Sequence, residues 1–452
     1  MESSDVVVIG AGLAGLTAAL ELEAAGLDVR VLEAQDRTGG RVHSMRDLGT
    51  QAEAGGTYIG AGYTRLIDAA RRFGVPLIDV TPMLEFFREQ DLVLDGEIIR
   101  QADWPEHPAN PFPDRDRALM PWTFHRVLTM RENPLERPED WLDPKFADAD
   151  VSVHDWMRSL GLSERAVEIG YGMNPSFGAD ARDVSALLLF FRAAFSKAQR
   201  RLAPEGSVGY TAAGGVQRIP EAMAGGLRRE VQLRRAVVGI DTVGERVEVR
   251  CEDGTRVGAR FVVCAVPAGV LRGMRIHPPL TGAQAEAVAA LPAQPITQVY
   301  FAPKSAFWEE DGYAPSLFTD SPAGMIAAAR NGEDPKQVTS ITAWVMGPAA
   351  GRLDAMPEEV AGRAVLDAIE RIRPAAKGRL ELIGLTSWGK DPYAQGAWAY
   401  FRPGEIRAFA AAMGRPHGRL HFCGEHLALA SRGMEGAMES GGRAAAEILQ
   451  RA

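Results

Sequence analysis

Apolar and polar positions along this chain repeat with two different periods. Residues 5–9 (DVVVI) are a β-branched run with no polar break after Asp5, the pattern of a parallel strand buried on both faces. LTAALELEAAG (16–26) spaces its apolar residues at helical intervals, and DVRVLE (28–33) returns to a strand. Further on, residues 231–267 alternate strand-like runs with the turn signals VGE and EDGT and read as a β-meander. ITQVYF (296–301) and ITAWVM (341–346) also read as strands. SALLLFFRAAFSKAQ (185–199), PEEVAGRAVLDAIERI (357–372) and the closing segment from about Met434 read as helices. Parallel strands joined by helices predict an α/β protein.

The texture of the chain predicts two domains woven together. Blocks 1–80, 205–290 and 396–452 carry strands that open into glycine turns, and read as one Rossmann-like, discontinuous nucleotide-binding domain. Segments 81–204 and 291–395 differ: the first is rich in proline and aromatics (WPEHPANPFPDRDRALMPWTF) and then helical, the second mixes strands and a helix. They read as two halves of an α+β substrate domain. A chain of 452 residues with 46% hydrophobic and 24% charged residues has enough apolar material for both.

Charge and cysteine usage narrow the partners. The net charge of −9 comes with no basic tract, so nucleic acid is not expected. The longest apolar stretch, FVVCAVPAGVL (261–271), falls short of the roughly 20 residues a bilayer span needs. The start MESSD is polar, so neither a leader nor a membrane anchor is expected, and the cytoplasm is the expected compartment. Cys251, Cys264 and Cys423 are odd in number and lack CxxC spacing, which argues against a disulfide framework and a zinc site. The eight histidines are scattered without metal-ligand spacing, so no metal is expected. A homodimer stays open.

The first motif carries the chemistry. Gly10-Ala-Gly12-Leu13-Ala14-Gly15 stands between a strand and a helix. Gly10 permits the tight turn, Gly12 lets backbone approach a pyrophosphate, and Gly15 lets helix and strand pack closely. Glu33 ends the second strand 23 residues beyond Gly10, where a carboxylate accepts hydrogen bonds from ribose hydroxyls. The segment EAQDRTGGRVHS (33–44) then sets Arg37 and Arg41 around Gly39-Gly40, a second phosphate clamp beside the first.

At this point the chain resembles the flavin-containing amine oxidases, in which E-A-x-x-R-x-G-G-R is an FAD motif. The resemblance extends through AEAGGTYIGAGYTRLIDAARRFGV (52–75), through SWGKDPYAQGAWAYFRPGEI (387–406) and through RLHFCGEHLALASRGMEGAMESGGRAAAEIL (419–449), in the family's order. It implies FAD held by the turn at Gly10, Gly12, Leu13, Ala14 and Gly15, by Glu33, Ala34 and Arg41, and by Gly55, Gly56 and Thr57 beside the isoalloxazine. It further implies Val237 at the adenine, a returning strand ending at Ala265-Val266-Pro267, Glu425 near the ribityl phosphate after Gly424, and Gly433 and Met434 at the flavin pyrimidine. Ala397 stands where some members carry a flavin-linking cysteine, so the FAD is expected to be noncovalent.

The resemblance also implies a substrate pocket with two aromatic walls on the flavin. Trp398 fits one wall. The other position is Gly433, which leaves room for an aromatic from elsewhere, with Tyr58, Trp104, Trp122 and Phe177 as candidates. Most members place a lysine near flavin N5; counting back from Trp308 puts Gln298 there. Lys304, beyond Pro303, reads as solvated. The implied reaction is oxidation of a small-molecule amine, with hydride transfer from the carbon next to nitrogen to flavin N5, hydrolysis of the imine, and reoxidation by O2 or an electron-carrier protein. Without a cation at Gln298, oxygen is expected to react slowly. Arg432 reads as a surface or phosphate-side arginine, so an amine is favoured over an α-amino acid. The alternatives are a related amino-acid oxidase or desaturase, or a non-catalytic flavin-binding redox protein.

Overall fold

A computed structural model describes residues 2–49, 52–83, 88–330 and 337–452. Two seven-stranded sheets organise it. In the first, the strand Glu2–Ile9 pairs in parallel with Val29–Leu32 on one side and Arg256–Cys264 on the other. The far end of Arg256–Cys264 pairs in parallel with Leu420–Phe422, bringing the C-terminal block beside the N-terminal one. Its near end pairs antiparallel with Arg246–Cys251, which pairs with Val237–Val243, the expected meander.

Both faces of the first strand are covered, which is why its sequence is continuously apolar. Val6 and Val8 pack with Leu16, Phe261, Ala444 and Ile448 under the helices Leu13–Ala24 and Gly433–Leu449. Val7 and Ile9 face the opposite way, into a second core shared with the helical segment from Pro121 to Leu202.

The second sheet runs in the order Leu380–Ser387, Ile296–Pro303, Ser340–Met346, Met325–Ala329, Ser316–Thr319, Gln90–Leu94, Glu97–Ile99. Its strands pair antiparallel except Ser316–Thr319 with Gln90–Leu94. Alternation gives the sheet two unlike faces. Val299, Phe301, Ile341, Ala343 and Val345 pack under the helix Glu358–Ile372. Gln298, Trp344 and Met346 face the other way, onto a cavity. Among the described residues no helix is long and apolar enough to cross a membrane.

Candidate active site

The strand Glu2–Ile9 ends at Gly10, whose φ of +101° turns the chain sharply. Gly12 caps the helix Leu13–Ala24 from an extended conformation and offers it no side-chain cap. The N–H groups of the first turn are left without side-chain partners, and the positive end of the helix dipole stands behind them. A Cβ added at Gly15 would lie 2.0 Å from the Gly10 carbonyl oxygen, so that glycine serves the packing of helix on turn. A Cβ added at Gly12 would meet only the Gly39 carbonyl, at 3.9 Å. The protein leaves open, above Gly12, the room a pyrophosphate needs to reach the backbone.

Glu33 is buried, and its carboxylate accepts from Ala11 N at 2.7 Å and Gln35 N at 2.8 Å. Burial raises its pKa, and these amides offset only part of the rise. Arg37 donates to Gly40 O at 2.9 Å and so closes the second glycine turn. Arg41 donates to Ala397 O at 2.8 Å and lies 3.3 Å from Glu425. Glu425 in turn accepts from Ala399 N at 3.0 Å. Trp398 is thus held between two backbone anchors. Burial pushes the Glu425 carboxyl up, but Arg41 and Arg432 more than offset this and hold it below the usual carboxylate range. His426 is held at about 4 by burial, and is neutral at pH 7.

These groups meet in one cavity of about 840 Å³. Gly10, Gly12, Leu13, Ala14, Glu33, Ala34, Arg41, Gly55 and Gly56 line it from the N-terminal block, and Val237, Ala265, Val266 and Pro267 from the middle one. The C-terminal block contributes Ala397, Trp398, Gly424, Glu425, Gly433 and Met434, and the second sheet contributes Gln298. The volume, the acid and the uncapped helix fit a dinucleotide such as FAD. None of the three cysteines lines the cavity; all are buried and free.

Several expected residues sit elsewhere. Gly15 packs beneath the turn, and Thr57 and Tyr58 are outside the lining. Tyr58 is 39% exposed, because it directly precedes the short strand Ile59–Gly60, whose Ile59 takes the inward position. Trp104 and Trp122 belong to the core, where Trp104 donates to Leu119 O and Trp122 stacks on Phe318 at 4.7 Å. Of the four candidate aromatics only Phe177 reaches the cavity. Lys304 is exposed beyond the strand end. Arg432 is not a surface residue: it is buried, 3.9 Å from Glu425, with its guanidinium over Phe177 at 5.0 Å.

The sequence reading missed Tyr63, Trp344, Arg126 and Arg192, which also line the cavity. Tyr63 precedes the helix Thr64–Arg72, whose first amides donate to Glu435 of the last helix, and its hydroxyl stands 4.0 Å from where a Gly433 Cβ would be. Trp344 sits directly across from Gln298 in the strand register. Gln298 is fully buried and its amide is engaged at both ends: Nε2 donates to Ala54 O at 3.1 Å and Oε1 accepts from the Tyr300 hydroxyl at 2.5 Å. The two arginines had a signal. Each is a lone charge in an otherwise apolar helical run, WTFHRVL and LLFFRAAF.

Comparison with known proteins agrees with this geometry. The chain is 27% identical over 462 residues to a flavin-containing amine oxidase of Danio rerio, covering 98% of this chain and 85% of the relative. It is 26% identical over 464 residues to the human flavin-containing amine oxidase B, covering 98% and 86%. Among solved structures, a putrescine oxidase mutant superposes with a TM-score of 0.79 at 24% identity, covering 100% of both chains. Cyclohexylamine oxidase from Brevibacterium oxydans gives 0.79 at 24% identity, covering 99% of both. The family profile described as flavin containing amine oxidoreductase matches residues 13–449, and the chain belongs to that family of flavin-dependent enzymes.

Proposed function

We propose that this enzyme oxidises a small-molecule amine at the carbon next to nitrogen, using noncovalently bound FAD. The single observation that carries the reading is the convergence of the dinucleotide turn, the second glycine clamp, Trp398 and Gly433-Met434 on one cavity. In this reading blocks 1–80, 205–290 and 396–452 form a Rossmann-like FAD domain, and 81–204 with 291–395 form the substrate domain. When bound, FAD supplies the acceptor for a hydride from the substrate carbon, and water then hydrolyses the resulting imine.

The protein's part is to bind, orient and desolvate. The helix starting at Leu13 and the Arg41 side chain take the phosphates, and Glu33 takes a ribose. Trp398 and Tyr63 bound the space above Gly433 and hold the substrate carbon in reach, since transfer needs roughly 3–3.5 Å. The apolar lining given by Phe177, Trp344 and Met346 favours the neutral amine, which alone has a lone pair to assist. Gln298 brings hydrogen bonds but no charge, so an electron carrier is the preferred acceptor over O2.

Anaerobic mixing of the purified yellow protein with a panel of amines, amino acids and polyenes tests the reading. Bleaching by compounds that carry an oxidisable C–H next to an amine nitrogen is the expected result. Bleaching by polyenes alone would overturn it, and so would a colourless protein that takes up no added FAD.

A further inference from the structure

The cavity wall formed by the helical segment is charged in one sign. Glu33 is satisfied by backbone amides, Arg41 and Arg432 share Glu425, and Arg235 pairs with Asp253. That leaves the exposed Glu252, in the meander next to the strand of Val237, and two cations: Arg126, on the helix Pro121–Arg131, and Arg192, on the helix Ala186–Leu202. Both line the cavity, and neither forms an ion pair with any described residue. The Arg126 Nε is buried with no hydrogen-bond partner among the described residues.

Arg192 is aimed by a relay. Its Nη1 donates to Ser176 Oγ at 3.0 Å, and Ser176 Oγ lies 2.7 Å from His125 Nε2. His125 Nδ1 is 3.1 Å from Gly170 O, which can only accept, so Nδ1 carries the proton and Nε2 accepts from the serine. Burial holds His125 far below its ordinary range, which keeps the ring neutral and the relay in one direction. Burial and then the neighbouring Arg192 lower Arg126 to about 9, and burial lowers Arg192 as well; guanidinium groups nonetheless keep their charge in proteins. Two such cations facing an apolar cavity without an anion are costly, and the missing anion has to come from a ligand.

We propose that the substrate is an amine that also bears a carboxylate, an amino acid in the broad sense, and that Arg126 and Arg192 hold that carboxylate. This rests on the amine-oxidation reading above and narrows it, against the preference for a carboxylate-free amine drawn from sequence. Guanidinium forks suit a carboxylate because each can donate two parallel hydrogen bonds. A diamine would instead place a second cation against two fixed cations.

Matched pairs test this on the holoenzyme: phenylalanine against 2-phenylethylamine, and 4-aminobutyrate against propylamine, followed by anaerobic flavin bleaching. The carboxylate-bearing member of at least one pair is expected to lead by roughly 10²-fold in kcat/KM; the pair that leads separates an α-carboxylate from a distant one. A lead for the carboxylate-free amine in both pairs overturns the proposal while leaving amine oxidation intact. No bleaching by any of the four overturns the proposal and leaves amine oxidation itself to the wider panel above. Benzoate, a carboxylate with no amine, gives a readout without turnover. It is expected to perturb the flavin absorption of the native protein, with Kd raised roughly 10-fold or more in Arg126→Gln and Arg192→Gln. Arg126→Lys is expected to fall between, and the flavin spectrum of each variant reports that it has folded. Absence of a benzoate-dependent change in the native protein overturns the proposal whatever the amine panel gives.

Discussion

The Glu53 carboxyl lies behind the strand Ala52–Gly55, accepting from Val216 N at 2.9 Å and from Ser44 Oγ at 2.8 Å. Burial raises its pKa from 4.5 to about 7, and these two bonds offset only part of the rise. The folded protein therefore keeps a proton that the unfolded chain releases. The stabilisation this gives is complete below 4.5 and is lost as pH rises to about 7. Glu53→Gln reproduces the protonated form, with the same acceptor for Val216 and a donor for Ser44. Thermal unfolding at pH 4 should find the two proteins alike. At pH 8 the variant should be the more stable, by something on the order of 3 kcal/mol; equal midpoints at both pH values would remove the buried charge from the account. Gln298 is the second residue where burial sets chemistry. A lysine in its place keeps a donor for Ala54 O, turns the Tyr300 contact around so that the hydroxyl oxygen accepts, and adds a cation where no carboxylate touches the amide today. Stopped-flow mixing with oxygen should show Gln298→Lys reoxidising at least roughly tenfold faster than the native enzyme, since a fixed charge at developing negative charge is a large catalytic effect. Unchanged rates would make the acceptor preference independent of this position.

At the scale of elements, what holds the site is the packing of the last helix on the first. A Cβ added at Gly441 would fall 2.3 Å from the Ala14 carbonyl oxygen, so the helix Gly433–Leu449 approaches the backbone of Leu13–Ala24 directly. The same contact sets the start of the first helix against the middle of the last, and so fixes Gly12, beside the expected phosphates, relative to Gly433-Met434, beside the expected pyrimidine. Gly441→Ala should separate them, lowering the thermal midpoint by the equivalent of about 1–3 kcal/mol and reducing flavin content on purification. A variant with native midpoint and full flavin would show that the two helices are not coupled. Both helices were readable from sequence, because strand, glycine turn and helix follow each other within one block and local chemistry fixes them. The second sheet was readable only as strands. Alternation in ITQVYF puts Gln298 opposite in sense to Val299 and Phe301, but nothing local says that Trp344 faces it, since register between residues 46 positions apart is decided by the whole sheet. Tyr58 lies outside the cavity lining for a related reason. A one-residue difference in where the strand Ile59–Gly60 begins moves a side chain from the cavity to solvent.

Across the whole molecule, the cavity is walled by residues as distant in sequence as Gly10 and Met434, with Arg126, Gln298 and Val237 between them. The N- and C-terminal walls were legible because each carries a glycine turn with its own chemistry. Arg126 and Arg192 were not read as part of the site, because helices of the middle segment show only an apolar face, and which lone charge looks inward depends on packing against other segments. A ligand filling such a space links all the segments at once. Binding to the folded state alone stabilises it by about 2.7 kcal/mol at a hundredfold excess over Kd. Ala397 and the three buried cysteines, none of which lines the cavity, offer no lining thiol to the flavin, in keeping with the noncovalent binding proposed above. Acid precipitation should therefore leave all the flavin in the supernatant. Gentle removal of FAD should lower the thermal midpoint by several degrees, at roughly 2–4 °C per kcal/mol or less for a chain of this length, and expose 121–202 to protease. Adding FAD back should restore both. Flavin that stays with the precipitate would overturn the noncovalent assignment. An apoprotein as heat-stable and protease-resistant as the holoprotein would mean that the cavity holds its shape without the cofactor, and that the open room above Gly12 is a property of the fold alone.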